Sequence, residues 1–340
     1  MDKQRSQGTP LIESYLTPSD SSSTGPSRTS ILVAAARAFG SHDPDPSIRN
    51  PDWLAERLIG PDERARIEPH PLSKALAGPY EQGLENPEVA GIVRLMMART
   101  RFMDERLLRD VKAGVRQVVI LGAGFDSRAY RFRELLGQVK FFELDTPQTQ
   151  EYKKQRMSTV LGIPPANLVY APIDFREDSL DAVLDRAGVE RGVRTFFSWE
   201  GVSMYIPEES VRATLLCLAA YGAPQSTLAM DYTTLESIQA LRKSDQAPQF
   251  RFANTWGEPW LFGIPDGGEK DFFAQVGFDV AEALRMVSDE ATRRYATRKD
   301  GTVVGMSVGG WQAPQQGARL GYTLVELHSA WRAGFSTRGS

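Results

Sequence analysis

Cysteine occurs once and histidine three times in 340 residues. The single thiol, Cys217, excludes an intramolecular disulfide framework and any multi-cysteine metal site. His42, His70 and His328 stand far apart without H-E-x-x-H spacing, so no histidine-built metal site is expected. No apolar run approaches the roughly 18 residues that a membrane helix needs. The amino terminus has no cationic start followed by an apolar stretch, so cytoplasmic placement is the expectation, without a membrane partner. A basic excess is missing as well. Forty Lys and Arg against 43 Asp and Glu give a net charge of −3, which offers a nucleic-acid partner no electrostatic support.

With 41% hydrophobic and 24% charged residues, the chain reads as a globular protein large enough for a sizeable core. Residues 1–30 are rich in Ser, Thr, Pro and Gly and are expected to form a flexible tail. Residues 31–115 read as a helical cap. Ile31, Leu32, Ala35, Ala36 and Phe39 repeat at helical spacing before Gly40, a short helical stretch surrounds Trp53 to Ile59, and Asn86 to Lys112 forms one or two helices. From residue 116 to 310 strand alternates with helix. Strands are expected at Val118–Leu121, Val139–Leu144, Leu168–Ile173, Thr195–Trp199 and Thr227–Met230, with later ones at Val280–Met286 and Thr302–Val308. Helices are expected over Ser127–Leu136, from Pro147 to about Gly162, over Leu180–Ala187 and from Pro207 to Gly222. Short, wholly apolar strands alternating with helices imply βαβ units and a doubly wound, mostly parallel α/β sheet. An aromatic-rich insertion at about 233–270 follows strand five, and the structure of segment 311–340 is left open.

The first strand runs directly into Gly122-Ala123-Gly124, a turn whose small residues let backbone approach a ligand. A dinucleotide site wants a third glycine, but Ser127 stands there, and Asp126 puts a carboxylate where a diphosphate would lie. The same turn suits a phosphate-free, cationic nucleoside cofactor, S-adenosylmethionine. Alone, it is equally compatible with a plain tight loop. Strand two ends in Glu143-Leu144-Asp145, where an acid can hold a ribose diol. Asp145 is the choice; Glu143 either supports it or faces elsewhere, and a helix-cap acid is the other reading of Asp145. After strand three, Asp174 can accept from an adenine amino group while Phe175 flanks the ring; by itself Asp174 is a loop acid. Glu200, ending strand four, stands beside the expected transfer centre.

Together the stretches A-R-T-R-F-M-D (98–104), V-V-I-L-G-A-G-F-D-S-R-A-Y-R-F (118–132), F-F-E-L-D-T-P (141–147), Asp174-Phe175 and S-W-E-G-V-S-M-Y-I (198–206) resemble the leucine carboxyl methyltransferase family. This is a family of class I S-adenosylmethionine-dependent methyltransferases. The resemblance spans about residues 30–310 and is closest to a bacterial branch of secondary-metabolite and polyketide methyltransferases. It implies a seven-stranded Rossmann-like sheet with an N-terminal helical extension and a lid after strand five. By position it places cofactor contacts on Arg99, Gly122 (with Gly124 in the same turn), Asp145, Asp174, Phe175 and Glu200. Arg99 would grip the cofactor carboxylate, with Arg101 as the alternative. Where family members often carry Leu, this chain carries Phe175.

The reaction implied is O-methylation of a carboxylate on a small molecule, polycyclic or peptidic, with no metal. A carboxylate is already a nucleophile at neutral pH and needs no general base, which fits the scarcity of histidine. Arg128, Tyr205 and the Arg99/Arg101 pair are candidates to receive it. A hydroxyl or phenol acceptor is the alternative, with His42 as candidate base. An NAD-dependent oxidoreductase and a non-catalytic cofactor-binding scaffold are the remaining readings. The aromatics from Phe250 to Phe262 either line the acceptor pocket or form a satellite core.

Overall fold

The structure, a computed structural model, describes residues 26–175, 178–243, 258–305 and 321–330. The Ser27 hydroxyl accepts from the Ser30 N–H at 3.2 Å and opens α1 (Arg28–Gly40), whose apolar face is buried. Helix therefore begins inside the stretch expected to be a flexible tail; residues 1–25 of that tail lie outside the described residues. Short helices α2 (Ala55–Leu58), α3 (Pro61–Ile67) and α4 (Tyr80–Gly83) lead to α5 (Pro87–Lys112), a single 26-residue helix. Asn86 caps α5 through its side chain, and Pro87 occupies the first turn, where a missing N–H costs nothing.

The alternating region gives β1 (Gln117–Leu121), α6 (Arg128–Arg131), β2 (Lys140–Asp145), α7 (Pro147–Leu161), β3 (Leu168–Pro172), α8 (Leu180–Ala187), β4 (Thr195–Trp199), α9 (Glu208–Tyr221) and β5 (Thr227–Tyr232). Then follow α10 (Leu235–Lys243), α11 (Glu269–Gln275), β6 (Phe278–Arg285), α12 (Asp289–Tyr295) and β7 (Thr323–Ser329). The seven strands form one sheet in the order β3-β2-β1-β4-β5-β7-β6, parallel except that β7 runs antiparallel to both its neighbours. Every residue of β1, β4 and β5 is buried, as sheets covered on both faces require. Val118, Ile120, Phe141 and Phe196 pack with α1, α5 and α7 on one face; Val119, Leu121, Phe142 and Phe197 pack with α8, α9 and α11 on the other.

Two sequence expectations are corrected. Ser127–Leu136 is helical only over Arg128–Arg131; the following residues form turns, pinned by the Asn167 amide donating to the Leu136 and Val139 carbonyls. The final strand is not Thr302–Val308. Val303 makes only an isolated bridge to Thr297, residues 306–308 lie outside the described residues, and the last strand is Thr323–Ser329. The C-terminal segment left open by the sequence thus supplies a strand inserted between β5 and β6, inside the core rather than beyond it.

Candidate active site

Register decides what the carboxyl ends of the parallel strands present. Leu121 pairs with Leu144 and with Trp199, Asp145 with Pro172, and Trp199 with Met230. One residue further on, Gly122 therefore stands between Asp145 and Glu200, with Asp231 beside Glu200. This row of acids around a glycine crosses the switch between β2-β1 and β4-β5, where open α/β sheets place ligands.

Gly122 has φ +62° and Gly124 +44°, left-handed values that favour glycine. A Cβ on Gly122 would lie 2.3 Å from Val202 Cγ2, so no side chain fits there. The turn is tied to the tip of β2: one Asp145 oxygen accepts from the Gly124 N–H and the other from the Thr146 N–H at 2.7 Å. Burial raises the Asp145 carboxyl above its ordinary value, against the pull of those two N–H groups. Glu143 lies on the same face of β2, deeper, in a buried ion pair with Lys153 at 2.6 Å. It supports α7 and does not reach the tip. Asp174 and Phe175 follow β3, both half-buried, with the Asp174 N–H held by Asp178 at 2.8 Å.

The two arginines separate cleanly. Arg99 is buried and turns its guanidinium to the strand tips, 3.5 Å from Glu200 and 3.0 Å from Asp231. Burial would lower its pKa, but Tyr322, Asp231 and Glu200 carry it above the ordinary value. Arg101 turns away and donates to the carbonyls of Arg49 at 3.1 Å and Pro46 at 2.7 Å.

Three expectations meet a different geometry. Arg128, a candidate for the acceptor, is buried and bonded to Asp104 at 2.7 Å, to Asp126 and to Glu200. Its guanidinium is held by three carboxylates, so it braces Glu200 instead of facing a pocket. Asp126 accordingly points at Arg128; burial opposes, yet that charge holds its carboxyl below the ordinary value. The carboxylate held at the glycine turn is that of Asp145 instead. His42, the candidate base, follows the far end of α1. It lies beyond Arg37, the α1 residue whose guanidinium donates to the Phe125 carbonyl at 2.8 Å. There it pairs with Glu56 at 3.2 Å beside a cavity of about 240 Å³ lined by Phe39, Arg64 and Leu76.

Tyr205 ends a short 3₁₀ turn after Glu200 and meets Trp260 edge-on, ring centroids 6.4 Å apart. Burial pushes its phenol up to about 12. Phe262 from the expected insertion packs against Phe272 in the main core on one face of the sheet, neither in a satellite core nor in a pocket, whereas Phe250, Phe252 and Trp256 lie outside the described residues. Sequence reasoning missed Asp231, although it stands near the end of a buried strand, one residue before Tyr232. It also missed Asp104, which sits inside the quoted A-R-T-R-F-M-D stretch and binds both Arg128 and Arg131. Tyr322 carries no local signal at all.

Residues 30–219 match the leucine carboxyl methyltransferase family. A relative from Mycolicibacterium gilvum, named "Putative S-adenosyl-L-methionine-dependent methyltransferase", is 38% identical over 64% of this chain and 69% of its own. One of the same name from Mycobacterium marinum is 33% identical over 76% of this chain and 83% of its own. Among solved structures, the magnesium protoporphyrin IX methyltransferase of Synechocystis, with bound SAH, aligns over 70% of this chain and 87% of its own at 11% identity and a TM-score of 0.42. By family match and relatives, this chain belongs to the leucine carboxyl methyltransferase family and is an S-adenosylmethionine-dependent methyltransferase.

Proposed function

We propose that the protein transfers the methyl group to a carboxylate oxygen of a small-molecule or peptide acceptor, forming a methyl ester. The carrying observation concerns the histidines. His42 is exposed beyond the end of α1 and is engaged by Glu56 at 3.2 Å. His70 is buried with Nδ1 accepting from the Leu72 N–H at 3.2 Å, and His328 pairs with Thr227 at the opposite end of the sheet. A hydroxyl acceptor would meet no imidazole base at the strand tips; a carboxylate needs none.

The described residues fit the cofactor. Asp145, tied to the Gly124 turn, presents acceptor lone pairs suited to the ribose diol. Asp174 and Phe175 serve the adenine, and Arg99 serves the α-carboxylate. Glu200, braced by Arg128 and by the Ser198 hydroxyl at 3.1 Å, holds negative charge near the sulfonium. Asp145, tied to the glycine turn, puts a carboxylate where a diphosphate would approach, which disfavours NAD. The cofactor supplies its methyl as a sulfonium, and displacement by an oxygen nucleophile leaves a neutral thioether. The protein's part is to align the two reactants and exclude water. Tyr205, neutral at pH 7, and Trp260 border the acceptor side. A place in secondary metabolism rests on the family resemblance alone.

The test is methyl transfer from methyl-labelled S-adenosylmethionine to panels of carboxylic acids and phenols, followed by alkali. A carboxyl acceptor yields label that alkali releases as methanol, at a rate nearly flat from about pH 6 to 8 because the acceptor stays ionised throughout. Alkali-stable label on a phenol, with a rate rising with pH, overturns the carboxyl reading.

A further inference from the structure

Arg99 does not reach the strand tips unaided. Its Nη1 donates to Asp231 Oδ2 and to the Tyr322 hydroxyl, each at 3.0 Å, and the Tyr322 hydroxyl donates in turn to the same carboxylate. The other Asp231 oxygen accepts the Gly201 N–H at 2.7 Å, and the Asp231 carbonyl accepts the Ser203 hydroxyl at 2.9 Å. One fully buried carboxylate thus fixes both the arginine and the turn carrying Glu200. Gly201 allows the approach: at φ +64°, its Cβ would lie 3.0 Å from Arg99 Nη1. With Nη1 engaged and Nε beside Glu200, Nη2 has no acceptor among the described residues.

We propose that Asp231 and Tyr322 are positioning residues for the cofactor: they lock the Arg99 guanidinium so that its Nη2 edge receives the cofactor α-carboxylate. Neither residue touches that carboxylate, and both lie outside the 30–219 stretch that matches the family. The inference rests on the proposed role of Arg99. A free arginine must surrender rotamer entropy when it binds, whereas one held at two nitrogens has already done so. Burial beside Asp231 keeps the Tyr322 phenol protonated, so it remains a donor across the working pH range.

The test compares two ligands on wild type, Tyr322→Phe and Asp231→Asn by calorimetric titration. S-adenosylhomocysteine carries the α-carboxylate; 5′-methylthioadenosine keeps the nucleoside and sulfur but lacks the amino-acid chain. Tyr322→Phe is expected to weaken S-adenosylhomocysteine about 3- to 10-fold and Asp231→Asn by more, as loss of bonds to a charged group implies. Methylthioadenosine should stay within about twofold in both. Equal weakening of both ligands would reduce the network to fold support, and unchanged S-adenosylhomocysteine affinity would remove the positioning role. Wild type that binds methylthioadenosine and S-adenosylhomocysteine equally would instead overturn the Arg99 assignment beneath it.

Discussion

Asp145 meets the Gly124 and Thr146 N–H groups with one oxygen each, which aims the carboxylate's remaining lone pairs outward. Asp145→Ala should therefore weaken S-adenosylhomocysteine roughly 10- to 100-fold by calorimetry, the scale of hydrogen bonds to a charged group. Because burial raises its pKa, affinity should begin to fall at a higher pH than an exposed aspartate would give as the solution is acidified. His70 supplies the sharper pH signature. Burial pushes its imidazole down to about 4, against about 6.5 in an unfolded chain. Between those values the unfolded state takes a proton that the folded state refuses, so stability falls as pH drops. Wild type should lose about 2 kcal/mol relative to His70→Asn between pH 7 and 5, read from urea unfolding. An unchanged difference would mean that the ring is protonated without cost. At this scale the sequence showed Asp145 at the end of its strand. It could not show that Asp126 and Arg128 neutralise each other, because only the folded chain brings Asp104 and Glu200 onto the same guanidinium.

At the scale of elements, the β1–α6 turn depends on Gly122. Gly122→Ala combines a left-handed φ with a Cβ that collides with Val202 on the β4 turn. The expected cost is about 1–3 kcal/mol of stability, together with at least tenfold weaker cofactor binding, measured by thermal unfolding and calorimetry. A variant of wild-type affinity would show that the turn does not approach the ligand. Most elements were legible because their signals are local: apolar runs for β1 and β4, Thr146-Pro147 for the start of α7, and Gly162 at φ +77° for its end. α6 was overread because Phe132 and Leu136 keep helical spacing while Asn167, from another connection, captures their turn. β7 was missed because Glu326 and His328 interrupt its apolar run and it pairs with strands far earlier in the chain.

At the scale of the molecule, β7 holds β6 to the sheet, since β5 and β6 each pair only with β7 on that side. Ending the chain before Gly321 should leave no cooperative thermal transition, checked by circular dichroism on the soluble fraction. It would strip β5 and β6 of the strand that each pairs with on that side and remove Tyr322 from Arg99. A truncated chain that melts cooperatively would contradict that role. By itself the sequence determined the α/β class, the glycine turn, Asp145 at its strand end and, through the family resemblance, the cofactor. Periodicity, turn chemistry and strand-end residues are properties of short stretches, and short stretches can be read directly. Only the tertiary structure decided which arginine faces the strand tips, which strand closes the sheet, and that a tyrosine 223 residues from Arg99 shares its carboxylate. Those outcomes depend on helix rotation and strand pairing between distant segments, which the whole core sets together and no local pattern encodes.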